Sequence, residues 1–525
     1  MEPLSSSLAI VFVSVLTIYA LAMLVIGFVA QRRIQNVEDY VVAGRQLPTS
    51  LATLTIVATW FGAESLMTTT DEVSQRGMLG AMLDPFGISL CLLIAGLFIA
   101  GPVWRLGLLT IPDFFRQRYG KSAEFLSASI LVPSYFGWIA AQYLALATLL
   151  EQFFGLPIVI GVIGVAALAT SYTWMGGMWS VTWTDTVQML LIVVGLLVLG
   201  FEILMELGAG SLWQGVEALR NGADLGLQPV VDAGQLDQGQ VDGQLDPRQL
   251  SERSSHAMWM AAVSALVIGS LGNLPVQDLL QRICSARSDQ VARRACLWGA
   301  IGYLALGVFP ILAGLSAAMI LHEGVPNAGV VTLLAARLLN PALLLIFVLA
   351  IVSIILSTVV SAVLAPAAVL GQNLIGPFCE RWSIQLTEER ALRHQRLSVL
   401  FVVVASTIIA LLGEGTYELV ESSYSLSLVG LFAPFVLGLY TRSTSTAAAL
   451  ISMSLGVGCW LLHLVCGWET FLEPWMPPRV PQDYRWLTQW PHELVAACLS
   501  IVAFLGVSCW SPSAVYADGH NPSEV

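Results

Sequence analysis

The sequence predicts an all-α polytopic membrane protein, and three observations carry that prediction. The 525 residues are 56% hydrophobic and only 11% charged, with a mean hydropathy of +0.77, whereas a soluble chain carries roughly 25% charged residues. A membrane span needs about 20 apolar residues, and stretches of that kind recur often enough for about 13 transmembrane helices. Two of these stretches, five spans apart, are each interrupted midway, the pattern expected where two halves of a transporter repeat with inverted topology.

Taken in order, the apolar runs lie near 8–30, 50–75, 85–104, 124–150, 156–174, 182–205, 256–280, 296–321, 341–370, 397–413, 418–440, 446–467 and 493–510. The first has no basic leading region and no small-residue cleavage site, so it reads as a retained helix and not as a signal peptide. Its successors form one membrane domain over 1–510, with a tail at 511–525. Segment 206–253, which contains DAGQLDQGQVDGQLDPRQL, is too polar to bury a core. It reads as a low-complexity loop, with a short helix near 211–220. A second loop at 468–490 is dense in Trp and Pro. It fits an aromatic belt at the membrane interface or a lid.

Basic residues set the expected orientation. With the N-terminus outside, the inner loops hold Arg32, Arg33, Arg45, Arg105, Arg116, Arg118, Lys121, Arg282, Arg287, Arg293, Arg294, Arg381, Arg390, Arg393, Arg396 and Arg442, which is 16 of the 23 Lys and Arg. That satisfies the positive-inside rule, so N-out and C-in is expected, with 206–253 extracytoplasmic and 511–525 cytoplasmic. On the same rule Arg116, Arg118 and Arg282 read as topology anchors. Arginine outnumbers lysine 22 to 1, which points to a GC-rich bacterial genome and an inner (cytoplasmic) membrane. The net charge of −12 lies mostly on the outer side and gives no reason to expect a nucleic-acid partner.

Eight cysteines, unpaired in spacing, and six dispersed histidines form neither a disulfide framework nor a transition-metal motif. Carboxylates inside spans are costly and by default functional. Asp185, shortly after the glycine pair of SYTWMGGMWSVTWTDTVQ (171–188), is the foremost. The interrupted runs contain TWFGAES (59–65) and GSLGNLP (269–275), and unwound backbone there would offer carbonyls to a hard cation. Ser357 and Thr358 stand side by side in the ninth span, either as ion ligands or bonded back to helix carbonyls. Glu64 could pair with a cationic solute, stay neutral, or hydrogen-bond a neighbouring helix.

Six segments together resemble the sodium/solute symporter family. They are VVAGRQLPTSLATLTIVATWFGAES (41–65), LTIPDFFRQRYG (109–120), YTWMGGMWSVTWTDTVQ (172–188), NLPVQDLLQRICSAR (273–287), the Ser357–Thr358 pair, and GLFAPFVLGLYTRSTSTAAA (430–449). The resemblance implies a LeuT-like 5+5 inverted repeat over about 48–440, built on spans 2–11, with spans 2 and 7 broken. It implies a sodium site formed by the carbonyls of Ala58, Phe61 and Ile354 and the hydroxyls of Ser357 and Thr358. Asp185 and Ser361 would mark the ion's exit path. Relatives with a second sodium place a further serine where this chain has Val360, so one ion is expected. The solute would meet Trp60, Glu64, Ser65, Gly269, Asn273 and Gln277, with Tyr135, Gln142 and Tyr143 near the same cavity. Sugar carriers have amides at the positions of Ser65 and Gly269, which argues against a sugar.

The expected activity is sodium-coupled import of a small organic solute by alternating access, with sodium as the only cofactor-like ion and no substrate subfamily recognised. About 2.3 kcal/mol per 100 mV and about 1.4 kcal/mol per tenfold sodium gradient suffice for roughly 500-fold accumulation. Proton coupling and a transporter-like sensor remain as alternatives. Relatives that signal carry an added cytoplasmic domain, and this chain is expected to end shortly after its last helix. An enzyme is not expected, because Glu64, Asp71, Glu72 and Asp84 are spread along the chain without His or metal-binding partners. Oligomeric state is left open.

Overall fold

The structure is a computed structural model that describes residues 6–222, 247–321, 325–326, 328–381, 387–412, 416–441, 445–468 and 490–510. Of the expected loop at 206–253, residues 223–246 lie outside the described residues, as do most of 468–490 and the tail at 511–525; residues 212–222 and 247–253 of that loop are helical. Among the described residues the regular structure is helical, and no strand is present.

The chain enters through α1 (Ser6–Gln31) and a short α2 (Val37–Val42), then α3 (Thr49–Trp60), which breaks before α4 (Thr69–Arg76). The third crossing is α5 (Ile88–Ile94) continued into α6 (Ala100–Arg105). The amphipathic α7 (Ile111–Tyr119) is opened by a capping box in which Thr110 accepts from the Asp113 N–H, an arrangement that satisfies two orphan donors at once. Next come α8 (Lys121–Phe154), α9 (Ile158–Leu207) and α10 (Leu212–Gly222), close to where a short helix is expected. The second half begins with α11 (Pro247–Leu271), which breaks before α12 (Gln277–Ser285), and continues with α13 (Asp289–Leu321) and α14 (Val330–Leu338). Backbone N–H groups of Gly329 and Val330 donate to Asp71 at 3.0 and 2.9 Å, so Asp71 caps α14. The remainder is α15 (Pro341–Val369), α16 (Gly376–Arg381), α17 (Glu388–Leu412), α18 (Thr416–Ser427), α19 (Ala433–Tyr440), α20 (Thr446–Cys466) and α21 (His492–Trp510).

Ten described helices are long and apolar enough to cross a membrane, against the thirteen spans read from the sequence. Three differences account for the gap. Thr49–Trp60, which ends at its Gly-containing interruption, and the apolar part of α11, Met258–Leu271, each fall short of a full span. Residues 156–174 and 182–205 fuse into the 50-residue α9. At 1.5 Å per residue such a helix would be about 75 Å long, more than twice the hydrocarbon thickness, and it bends at Gly177. There φ is +48°, and a Cβ would lie 2.5 Å from the Tyr40 carbonyl oxygen, so the second glycine of the MGGM pair is required both by its dihedral and by its neighbour.

The loops around Arg45, Arg105 and Arg287 meet at one end of the bundle. Leu47 and Ala286 form an isolated parallel bridge, Trp104 Nε1 donates to the Ala286 carbonyl at 2.8 Å, and Arg45 reaches the Leu108 carbonyl at 3.0 Å. At the bundle's middle, α15 is buried along residues 350–369 between α8, α9 and α3. It is the axle against which the broken α3 packs.

Candidate functional site

The break after α3 is built by diverted backbone donors. Phe61 leaves the helix at φ −79°, ψ 81°. The Gly62 N–H turns to the Trp60 carbonyl at 3.0 Å and the Ser65 hydroxyl at 3.2 Å, and the Ala63 N–H goes to Gln142 Oε1 at 2.9 Å. The carbonyls of Ala58 and Thr59 therefore lose the donors a continuous helix would supply. A Cβ at Gly62 would sit 2.5 Å from Glu64 Oε2, which is why the approach needs glycine.

Beside this break stands α15. Thr59 Oγ1 donates to Ser361 Oγ at 3.2 Å and to the Thr55 carbonyl at 2.6 Å. Ser357 Oγ donates to the Ile354 carbonyl at 2.8 Å, which leaves its lone pairs free, and Thr358 Oγ1 is buried with no hydrogen-bond partner. Among expected ion ligands, Ala58, Phe61, Ile354, Ser357 and Thr358 are each at most 1% exposed. Asp185, fully buried on α9, accepts from Thr55 Oγ1 at 2.5 Å, while its Oδ1 has no partner. Ser361 also accepts from Arg282 Nη2 at 2.6 Å.

Arg282 therefore differs from its reading as a topology anchor. It is 1% exposed on α12, and its guanidinium donates to Ser361, to Gln281 Oε1 and to the Asp278 carbonyl. Two further residues were not picked out by sequence reasoning. Asp278 is buried and accepts from Trp60 Nε1 and the Tyr135 hydroxyl. Asp84, in the turn Met82–Gly87, accepts from Ser65 and Tyr303 at 2.7 and 2.8 Å. The rule that an ionisable residue within an apolar run is functional applies to both. Asp84 was set aside as one of several spread acids, yet folding brings Glu64, Glu72 and Asp84 to the wall of one cavity.

That cavity and a second share one wall, Tyr424 of α18, and each is about 10 Å³, room for about one water in this closed arrangement. The second is lined by Tyr135, Trp138, Asn273, Asp278 and Tyr424 among others, and among the described residues no basic side chain lines either. Glu64 is held at their junction. It accepts from Trp138 Nε1 at 2.9 Å, Gln142 Nε2 at 2.5 Å and the Tyr424 hydroxyl at 3.4 Å. The hydrogen bonds to Trp138 and Gln142 on α8 are those of the third sequence alternative.

The expected solute residues divide. Trp60, Glu64, Ser65 and Asn273 gather around the two breaks. Asn273 Nδ2 caps the Gly269 carbonyl at 2.9 Å. Gln277 is turned elsewhere, donating to the Leu109 carbonyl and accepting from the Ile111 N–H at 2.9 and 2.7 Å. Gly269 is a packing residue, since a Cβ would lie 2.3 Å from the Leu83 carbonyl oxygen.

This architecture, two broken helices meeting a buried helix with unsatisfied oxygens at the crossing, defines a secondary transporter of the LeuT-like class. The sodium:solute symporter family model matches residues 40–456, and the chain belongs to that family. It is 26% identical to the human high affinity choline transporter 1 over 519 residues, covering 94% of this chain and 83% of the relative. Against the sodium/glucose cotransporter of Vibrio parahaemolyticus it is 21% identical, covering 86% and 85%. A Na+-coupled sialic acid symporter, solved in a substrate-bound outward-open state, superposes with a TM-score of 0.70 at 16% identity, over 96% of this chain and 98% of that one. The protein is thus a multi-pass, sodium-coupled solute symporter, and its family and relatives are transporters.

Proposed function

We propose that the solute is a small organic cation of the quaternary ammonium type, with choline as the first candidate. The observation that carries this is the paired cavity at Tyr424. It offers the aromatic side chains of Tyr135, Trp138 and Tyr424, the carboxylates Asp278 and Glu64, and, among the described residues, no basic side chain. Aromatic faces attract a desolvated ammonium by about 2 kcal/mol each or more, and buried carboxylates need a positive partner. Among the described residues around the breaks, Glu64, Asp84, Asp185 and Asp278 are all at most 5% exposed, against one similarly buried guanidinium, Arg282. Sodium and a cationic solute would supply the missing positive charge. The human relative, by its name, carries choline.

Sodium binds, in this reading, between α3 and α15, to the carbonyls of Ala58, Phe61 and Ile354 and the hydroxyls of Ser357 and Thr358. The partnerless Thr358 hydroxyl and the released Ala58 carbonyl support it. Ion binding would fix the α3 break and with it Trp60, whose indole holds Asp278 at the solute cavity. The ion would leave past Ser361 and Asp185. Sodium is the only cofactor-like group in this account. The arginine-rich end faces the cytoplasm of an inner membrane, with the N-terminus outside. The alternating motion would be the rocking of the broken helices against α8 and α15.

Uptake into proteoliposomes under an inward sodium gradient tests the substrate class. Labelled choline should accumulate in the wild type, a neutral polyol should not, and Asp278→Asn should raise the KM for choline at least about tenfold, the loss of one modest ionic contact. Sodium-driven uptake of the polyol with no uptake of choline would overturn the reading.

A further inference from the structure

A groove of about 620 Å³ opens where α7, the start of α8 and the chain just after α15 meet, and none of the expected ion or solute residues lines it. Arg116 and Lys121 supply its positive charge, and Glu124 and Asn373 form its floor. Buried Glu124 faces the Arg116 guanidinium at 3.7 Å and accepts from Asn373 Nδ2 at 2.9 Å. Asn373 also donates to Asp113 Oδ1 at 2.8 Å and accepts from Thr110 Oγ1 at 2.7 Å, so the floor is anchored to the capping box of α7. Lys121 is exposed and makes no ion pair among the described residues. Two large apolar side chains line the same groove, Phe125 at 64% and Phe378 at 61% exposed. Lys121 and Phe125 stand one turn apart on one face of α8, with the ring about 6 Å further along the helix. Since α8 is long and apolar enough to cross a membrane, the charges sit at the edge of the water and the rings at the edge of the hydrocarbon.

We propose that this groove binds the headgroup of an anionic phospholipid, with the phosphate diester between Arg116 and Lys121 and the glycerol and upper acyl chains against Phe125 and Phe378. Basic recesses between spans at a membrane surface suit such headgroups, and each half of this one selects. A soluble phosphate would meet the same two cations but give the rings no apolar contact. A zwitterionic lipid would bring its own ammonium to a lining of two cations and one carboxylate, Glu124, which is already net positive. A guanidinium carries five donors, so Arg116 can face Glu124 and still present a fork to a phosphate. The positive-inside rule accounts for basic residues at a span end, but not for a recess that pairs them with two exposed rings. Through Asn373 and Glu124 the floor joins α7 and α8 to the segment after α15, so a bound lipid would brace the helix that carries Ser357 and Thr358. The inference needs this end to lie at a membrane surface, and no particular leaflet, solute or coupling ion.

The test uses the purified full chain, delipidated in a neutral detergent and titrated with radioactive phosphatidylglycerol in competition with phosphatidylcholine. Wild type should prefer phosphatidylglycerol at least about tenfold, the worth of one modest ionic contact. Lys121→Gln should lose that preference, and Lys121→Arg should keep it. Lys121 is the residue to change because replacing Arg116 would also strip a charge partner from Glu124. Thermal unfolding is read in parallel. Phosphatidylglycerol should raise the melting temperature of wild type, as any ligand of the folded state does, and leave that of Lys121→Gln unmoved. In phosphatidylcholine alone the two proteins should unfold together, which shows that the variant folds. Glycerol 3-phosphate and inorganic phosphate should neither displace the lipid nor raise the melting temperature; if either matches the lipid, the groove is a soluble-anion site and the lipid assignment is wrong. Equal binding of the two lipids by wild type, or an undiminished preference in Lys121→Gln, would overturn the proposal as well.

Discussion

Replacing Thr358 with valine should move stability and ion affinity in opposite directions. The side chains are nearly the same shape, so the packing of α15 is preserved, and what is lost is one buried hydroxyl that has no partner in the fold. Leaving such a group unsatisfied costs about 1–3 kcal/mol, and removing it recovers part of that cost. The sodium-free variant should therefore unfold at the same temperature as wild type or higher. If the hydroxyl is a sodium ligand, the lost contact to a charge is worth about 1.5–3 kcal/mol, or roughly 10- to 150-fold in sodium affinity. Ser357→Ala makes the contrast, since it also removes a hydrogen bond to the Ile354 carbonyl and should lower both quantities. The assay is thermal unfolding in detergent with potassium as the only alkali cation, beside titration with radioactive sodium. A Thr358→Val protein that folds well and binds sodium with wild-type affinity would refute the proposed coordination.

Three other substitutions probe separate parts of the structure. Gly177→Ala forces φ +48° on an L side chain and drives its Cβ towards the Tyr40 carbonyl, so unfolding in detergent should show a loss of more than about 1 kcal/mol. Glu64→Gln places an amide opposite donors from Trp138, Gln142 and Tyr424, and should weaken choline binding at least about tenfold while lowering stability by about 1–3 kcal/mol; unchanged binding would remove Glu64 from the solute site. Arg282→Met strips the buried cation shared by Asp185 and Asp278, with an expected loss of about 3–5 kcal/mol. Adding Asp185→Asn should restore part of that stability, and a double-mutant cycle with no coupling would refute the electrostatic link.

The membrane fold was legible because hydropathy is local: each apolar run announces itself, and Gly62 and the Gly272–Pro275 stretch interrupt otherwise helical patterns. The crossing of span 2 with span 9 was legible through family segments, down to the Ser357–Thr358 pair. The carboxylate partners were not. Asp84 and Ser65 are 19 residues apart, Trp60 and Asp278 are 218 apart, and nothing in either local pattern says that they meet. Arg282 failed differently. The positive-inside rule counts arginines near span ends, whereas the break in span 7 lets α12 carry this one into the core, where it is a charge partner and no anchor. Gln277 lies only four residues past Asn273, but the non-helical stretch between α11 and α12 sends its side chain to the loop at 109–111.

Charge balance joins these pieces into one argument about coupling. Among the described residues, four buried carboxylates around the breaks face one buried guanidinium, and any of them that stays ionised costs several kcal/mol unless a cation pairs with it. Sodium at the α3–α15 crossing and a cationic solute at Tyr424 would each lower the cost of holding the other, since both neutralise one shared excess of negative charge. Coupling would then be reciprocal: solute should tighten sodium binding by the same factor as sodium tightens solute binding. Sodium affinity measured with and without saturating choline is the direct check, and equal affinities in the two conditions would mean that the carboxylates serve the fold alone.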